Sequence, residues 1–531
     1  MKQVLFSLLI LTGMATVSCN KDFLERTPKD QQVEETFYKT PQDAYSALVA
    51  TYSVLNWDGF GNIWLAAEIA SDNCFGGGGL ADNGQRQVDR FERWDDHGKA
   101  AWKKCYYGIF RANVLLQKIE GIDFGSQAAL KTRYIGEAHF LRAYFYFDLI
   151  RMYGHVPLLT EPIEGDNYYI PQASPDSVYA LIASDLKTSA SLLTASAQAF
   201  SAIPATEYGR VTKWAAEALL GRVFLYYTGY YGKTEIPGAC TKQDAITAID
   251  DVINISGHNL LTDYRSLFRA SAVSSGVAFG GQNNAEGVFT IQYTNQGLAN
   301  WDQQNGNRVQ VMVGLRGIDR ISYYYKGWGS ATVSPKLYNA YEAADSIRRK
   351  ASFMAIAEEG IDFTPSSDQF QYTGYFWKKY TPLVQNKPDD NGGDFQIDNY
   401  DNYVVIRFAD VLLMGAELNL LSDLGKAQLY YNRVRDRAFK NDITHRKILT
   451  GDAAGVKLVL EERRLELALE GMRYWDLLRQ GTTAAKQAID NATGDDFNVT
   501  FRAETQGLFA IPQTQIDQSN STITQNPGWI Q

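Results

Sequence analysis

Two stretches of this sequence gather flat aromatic rings beside amides, carboxylates and guanidinium groups. The first, Asp72 to Trp94, holds Gly76-Gly77-Gly78-Gly79 and then Asp82, Asn83, Gln85, Arg86 and Trp94. The second, Trp301 to Trp328, holds Asn305, Asn307, Arg308, Tyr323, Tyr324, Tyr325 and Trp328. Rings of this kind lie against the weakly polar C–H face of a neutral sugar, while the polar groups bond its rim of hydroxyls. The candidate glycan contacts are therefore Asp82, Asn83, Arg86, Trp94, Trp301, Asn305, Tyr324 and Trp328. Trp102, Tyr106, Trp214 and Trp475 fall on helical stripes and read as core. Gly76, Gly78 and Ala81 match the start of a dinucleotide pattern but follow Asp72-Asn73-Cys74-Phe75 instead of a clear strand. A flexible turn that fits a loop to its ligand is expected there, not a phosphate cradle.

Other chemistries find less support. The sequence has no G-x-S-x-G elbow, H-E-x-x-H helix or Walker loop. A glycoside hydrolase would need two carboxylates facing across a cleft, and 60 acidic residues make such pairs possible anywhere and diagnostic nowhere. Five histidines and four cysteines include no zinc-type pair. Asp389 to Asp401 is rich in oxygen donors but lacks the spacing and terminal Glu of an EF-hand, so it reads as a solvated turn. No metal or cofactor is expected. The 51 basic and 60 acidic side chains give a net charge of −9, which argues against nucleic acid as a partner.

The elements that must position these loops begin after a leader. Lys2 precedes an apolar run from Val4 to Thr12, shorter than the ~20 residues of a membrane-spanning helix. The run leads to Ala15-Thr16-Val17-Ser18 before Cys19, which resembles the lipobox of bacterial lipoproteins. Residues 1–18 are expected to be removed and Cys19 lipidated. Cys74, Cys105 and Cys240 then form an odd set that allows at most one disulfide.

Thr40-Pro41-Gln42-Asp43 places a capping hydroxyl before a first-turn proline, and further helix starts fall near 99, 130, 175, 212 and 242. The stripes through Trp102 and Tyr106 and through Ile135 to Met152, stopped by Gly154 and Pro157, suit an antiparallel pair. The spacing lies near the ~34 residues of a tetratricopeptide repeat without a strict period. From about Ser271 to Tyr403 the chain turns loop-rich, with one strand expected at Gly287 to Tyr293 and a helix opening at Ser334-Pro335. Helices return at about Arg407–Leu421, Gly425–Phe439 and Gly455–Gln480. The last carries i,i+3 pairs Glu461/Arg464, Glu470/Arg473 and Asp476/Arg479. The expected fold is mainly α: tetratricopeptide-like hairpins forming a scaffold, with an irregular remainder holding minor β structure.

Several segments together resemble one known family. The start Cys19-Asn20-Lys21-Asp22-Phe23-Leu24-Glu25-Arg26-Thr27-Pro28, the helix Gly136-Glu137-Ala138-His139-Phe140-Leu141-Arg142-Ala143 with its exit at Tyr153-Gly154-His155-Val156-Pro157, and Arg407-Phe408-Ala409-Asp410 with Asn432-Arg433-Val434-Arg435 are similar to the SusD-like (RagB/SusD) outer-membrane lipoproteins of the Bacteroidetes. So are Glu462-Arg463-Arg464-Leu465-Glu466 through Arg473-Tyr474-Trp475-Asp476, and the ending Gln525-Asn526-Pro527-Gly528-Trp529. The matches run in order over the whole mature chain.

The resemblance implies one SusD-like domain over 19–531. Four helical pairs (about 40–257 and later helices) would support a loop-rich insertion (about 271–403) carrying part of the ligand site. It implies a surface-exposed, non-catalytic lipoprotein that captures oligo- or polysaccharide and delivers it to a SusC-like TonB-dependent transporter. Lys21-Asp22 resembles the family's signal for export to the outer face. Gly415 stands where the family often has an aromatic residue, and looser local packing is expected there. The alternatives are a helical-repeat lipoprotein binding protein or peptide, and a glycoside hydrolase.

Overall fold

The computed structural model describes residues 37–529 apart from 58–60, 94–97, 164, 166–167, 195–197, 295, 297–298, 303, 491–496 and 498. The expected leader and Cys19 lie outside the described residues. Eight helices pack in sequence order: α1 (Pro41–Ser53), α2 (Lys99–Lys118), α3 (Ala128–Tyr153), α4 (Pro175–Leu192), α5 (Lys213–Tyr231), α6 (Lys242–Ile255), α7 (Phe408–Asn419) and α8 (Leu424–Ala438). Each lies against the next, giving four hairpins.

Local chemistry sets where several of them start. In α1 the Thr40 hydroxyl accepts the Asp43 N–H and the Asp43 carboxylate accepts the Thr40 N–H, with Pro41 in the first turn. Thr241 and Asp244 repeat the device at α6, while Ser174 caps α4 and Thr212 caps α5. α3 ends at Gly154, whose φ of +69° is costly for any other residue. Trp102 near the start of α2 meets Tyr153 at the end of α3, ring centroids 5.1 Å apart, so the pair is antiparallel as its stripes suggest. From Phe140 onward α3 is buried on every side because α2 and α4 cover opposite faces.

The irregular part of the chain is inserted between the third and fourth hairpins. Gly287–Ile291 pairs antiparallel with Tyr403–Arg407, closing the insertion at its two ends and packing on α5. The strand stops at Ile291 instead of Tyr293, because the Tyr293 N–H donates to the Asn402 side chain at 2.9 Å. Phe353–Ala355 pairs with Tyr375–Trp377, and Leu315, Tyr324, Met354, Phe376 and Leu383 form a small separate core there. Among the described residues, no helix is long and apolar enough to cross a membrane.

Two expectations are corrected. The helix expected from Gly455 to Gln480 is two helices, α9 (Ala453–Glu466) and α10 (Arg473–Leu478). Leu469 and Gly471 both have positive φ, and the Gly471 N–H donates to buried Glu68 Oε1 at 2.7 Å. A Cβ on Gly471 would lie 2.6 Å from Trp64, so the break is packed into the core. The break also re-pairs the charges. Asp476 bonds Arg479 as expected (2.8 Å), but Glu470 turns to Lys379 (2.6 Å) and Arg407 (2.7 Å). Arg464 and Arg473 both go to Asp72.

Gly415, second, tightens its surroundings. A Cβ there would lie 2.8 Å from the Tyr430 ring and 2.9 Å from Ile253, so the missing side chain is what lets α6, α7 and α8 approach.

Candidate functional site

The first loop is fixed at its foot. Asp72 is buried and accepts Arg473 Nε at 2.6 Å, with Arg464 Nη2 2.8 Å from its other oxygen. Burial alone would raise the Asp72 carboxyl, but the two guanidinium groups hold it well below the usual carboxylate range. From there the chain runs along residues 329–333. The Phe75 N–H donates to Thr332 O (2.9 Å), Ala331 N–H to Gly76 O (2.9 Å) and Gly78 N–H to Gly329 O (2.8 Å). This ladder joins the first loop to the segment that directly follows Trp328, the end of the second.

The glycines serve close packing, which corrects the expected flexible turn. All four are buried. Gly77 and Gly78 have φ of +62° and +73°, and a Cβ on Gly77 would lie 2.6 Å from Gly329 O. Beneath them Asp89 accepts Gln371 Nε2 at 2.8 Å, and burial pushes its carboxyl up to about 7.

Beyond the turn, Asp82 Oδ2 accepts the Gly79 N–H at 2.5 Å and holds the entry to the Asn83–Arg90 helix. Arg86 bonds Leu80 O and the exposed Asn83 side chain, and its guanidinium lies 5.1 Å from the Phe370 ring centroid. Phe370 is tied to the same turn through its N–H to Gly78 O (2.8 Å). Arg316 forks onto Asp368 (2.5 and 3.1 Å), and Ser366 donates to Asp368 at 2.6 Å. Arg316 and Ser366 hold the Asp368 carboxyl well below its ordinary value. Asp82, Asn83, Arg86, Phe370, Arg316 and Asp368 thus form one polar cluster with an aromatic face in it.

The second loop is built on the Arg308–Val313 helix. Buried Asn307 caps that helix and donates to Asp401 O at 2.7 Å, which makes it structural. Trp301 is 48% exposed; its carbonyl accepts Arg308 Nη2 at 3.0 Å, and the guanidinium lies 5.9 Å from its ring. The Asn305 carbonyl accepts the Thr294 N–H at 2.8 Å, and its Oδ1 is buried with no hydrogen-bond partner among the described residues. Trp328 is half-buried and donates its N–H to Val311 O at 2.7 Å, one residue from the ladder at Gly329.

Tyr324 is a correction. It is 0% exposed, its hydroxyl donates to Glu359 at 2.8 Å, and its ring belongs to the small core. Tyr323, in the turn between the paired strands Arg320–Ile321 and Tyr324–Tyr325, is instead 48% exposed. Trp94 lies outside the described residues.

Trp102, Trp214 and Trp475 are buried and Tyr106 is half-buried against the core, as read. Cys74, Cys105 and Cys240 are buried free thiols. The acidic run turns its carboxylates to protein donors: Asp389 to Tyr325, Asp398 to the N–H groups of Ala299 and Asp394, and Asp401 to Arg269. Among the described residues no three metal-ligating side chains converge.

Residues 22–225 match the family model described as "Starch-binding associating with outer membrane", and residues 362–529 match the SusD family. A SusD-like protein of Bacteroides ovatus is 27% identical over 493 residues, covering 88% of this chain and 80% of the relative. SusD-like protein P2 of Formosa agariphila is 26% identical over 559 residues, 99% of each. The chain belongs to the SusD/RagB family.

As a SusD-family protein it falls in a class of non-catalytic, outer-membrane-associated surface glycan-binding proteins. Its fold is similar to that of a laminarin binding SusD-like protein, with a TM-score of 0.76 and 29% identity over 93% of this chain and 100% of the other. A surface glycan-binding protein A from Bacteroides thetaiotaomicron, in complex with laminarihexaose, gives a TM-score of 0.75 at 22% identity, covering 92% and 100%. Sequence reasoning did not single out Arg316, Asp368 or Phe370, which the structure places beside Asp82, Asn83 and Arg86. The run Ser366-Ser367-Asp368-Gln369-Phe370-Gln371-Tyr372 has the same aromatic and polar texture as the two loops and could have been picked out by it.

Proposed function

We propose that this SusD-family protein captures glycan on the face shared by its two joined loops, and that it hands the glycan to a SusC-like TonB-dependent transporter while tethered by lipid at Cys19. One observation carries the reading. The Gly76–Gly78 segment is hydrogen-bonded to Gly329–Ala331, so polar groups of Asp82, Asn83 and Arg86 share a wall with the Trp328 segment. The salt-bridged Arg316 and Asp368 are held in fixed geometry beside that wall and suit sugar hydroxyls, whose bonding needs donors and acceptors already in place. Exposed Trp301 and Tyr323 offer rings to sugar C–H faces.

Two structural relatives are described by their binding of laminarin or laminarihexaose, which makes laminarin the first ligand to test. Affinity electrophoresis of the protein through gels containing laminarin, starch or no polysaccharide should show retardation in laminarin without release of oligosaccharide. Unretarded migration through a full polysaccharide panel would sink the glycan reading. The transporter step is tested separately: a SusC-like protein should co-purify with the detergent-solubilised lipoprotein, and Cys19→Ala should release the protein from the membrane fraction.

A further inference from the structure

A second cleft opens beside the paired strands Phe353–Ala355 and Tyr375–Trp377. It encloses about 450 Å3, and none of its lining residues comes from the Gly76–Arg90 or Trp301–Trp328 loops. That lies within the ~300–1,000 Å3 of small-molecule sites. Its character differs from that of the first site. The lining rings, Tyr338 and Phe353, are buried, and the Tyr338 hydroxyl is bonded to Glu358, so no aromatic face is open for stacking. Recognition there would rest on charge and hydrogen bonds.

The charged lining is Arg265, Lys350 and Lys378 with Glu358 and Glu359, and Arg265 is already paired with Asp263. Lys378 is buried, and its Nζ donates to Glu359 Oε1 at 2.5 Å, the one hydrogen bond it makes among the described residues although an ammonium has three donors. Glu359 is shared, since its other oxygen accepts the Tyr324 hydroxyl at 2.8 Å. Lys350 lines the same cleft from the Ser346–Ser352 helix, is exposed, and has no ion-pair partner among the described residues. Burial, and then repulsion from Lys350, hold the Lys378 ammonium below its ordinary value despite Glu359. Two ammonium groups that repel one another in one cleft are relieved by an anion placed between them.

The geometry points to a second binding site in which Lys350 and Lys378 hold the oxyanion of an acidic saccharide, carboxylate or sulfate, while Ser275 and Glu358 meet its hydroxyls. A protein with both sites would take a neutral stretch of glycan on its aromatic loops and an acidic unit in this cleft. This goes beyond the proposed function and can fail without it.

Isothermal titration calorimetry on the purified, detergent-solubilised protein, with D-glucuronate, D-glucose 6-sulfate, D-glucose and inorganic sulfate, tests the proposal. At least one acidic sugar should bind roughly tenfold or more tighter than glucose, and Lys350→Gln should weaken that binding by about tenfold, the scale of one charge-assisted hydrogen bond. Glucuronate and glucose 6-sulfate used side by side tell carboxylate from sulfate. Lys378→Met should abolish binding. Should that variant misfold, exposed Lys350→Gln decides alone, given a thermal midpoint equal to that of the unsubstituted protein. Lys350→Gln should leave laminarin retardation unchanged, which separates the two sites. Equal affinity for glucose and both acidic sugars, or acidic-sugar binding untouched by Lys350→Gln, overturns the proposal, as does inorganic sulfate binding as tightly as the sugars.

Discussion

Arg407 and Glu466 meet in the core, Nη1 to Oε1 at 2.6 Å, with both side chains almost wholly out of water. Arg407 closes the strand that ends the insertion, and Glu466 closes α9. Glu466 also receives Arg348 (3.0 Å) and Arg437, and Arg407 reaches Glu286 (2.8 Å) and Glu470 (2.7 Å). The insertion is thereby bolted to α9, and through Arg437 to α8, by buried charge. Such a network contributes little when intact but costs heavily when one member is removed.

Glu466→Gln should therefore destabilise the protein by about 3–5 kcal/mol, because Arg348, Arg407 and Arg437 lose their shared counter-charge. Burial would raise this carboxyl, but the arginines hold it far below its ordinary value. A depressed folded pKa means stability that is present above the unfolded value and is lost as pH falls below ~4.3 toward the folded one. Chemical denaturation at pH 7 and pH 3 checks both: the gap between wild type and variant should narrow in acid.

Asp89 has the opposite sign. Its folded carboxyl is raised to about 7, so the folded protein keeps a proton that the unfolded chain has lost. The associated stability is complete below ~3.9 and is lost as pH rises to the folded value. Asp89→Asn keeps an acceptor for Gln371 and removes the titration. Its thermal midpoint relative to wild type should rise between pH 5 and pH 8, and a pH-independent difference would contradict the assignment.

Gly77→Ala should damage the glycan site more than the fold. The substitution imposes a strained φ and drives a Cβ toward Gly329 O, at a cost of ~1–3 kcal/mol taken up locally in the ladder. Helical circular dichroism should be retained while laminarin retardation drops sharply. Retardation at wild-type strength would mean that the two loops do not need their ladder.

Tyr324 and Trp301 should separate cleanly. Tyr324→Phe removes a bond to Glu359 worth ~1 kcal/mol of stability and should leave glycan binding as it was. Trp301→Ala and Arg316→Ala should each weaken binding by about ten- to thirtyfold, as expected for an exposed ring and a fixed guanidinium at a binding face. Dissociation constants from electrophoresis at graded polysaccharide concentrations supply the comparison.

Helix positions were legible in the sequence because their signals are local. Thr40-Pro41, Ser174-Pro175, Thr212 and Thr241 satisfy backbone groups within three residues, and apolar stripes need only the helix's own period. The lipobox-like start, the aromatic and amide texture of the two loops, and the family motifs are local in the same sense. The break at Leu469–Gly471 was not legible, since its cause is Glu68, about four hundred residues earlier in the chain. Nor was the tightening role of Gly415, which depends on Tyr430 and Ile253 from other helices.

The sequence by itself determined that rings and hydroxyl-bonding groups cluster in two loops on a helical-hairpin scaffold. The tertiary structure decided that Gly76–Gly78 pairs with Gly329–Ala331 and that Arg316, Asp368 and Phe370 join them. It also decided that Tyr324 faces inward while Tyr323 faces water, and that Lys350 and Lys378 share a cleft. Composition and spacing report what a segment can form with itself. Which segment comes to lie against which is set by burial and ion pairing between residues hundreds of positions apart, and no local pattern carries that information.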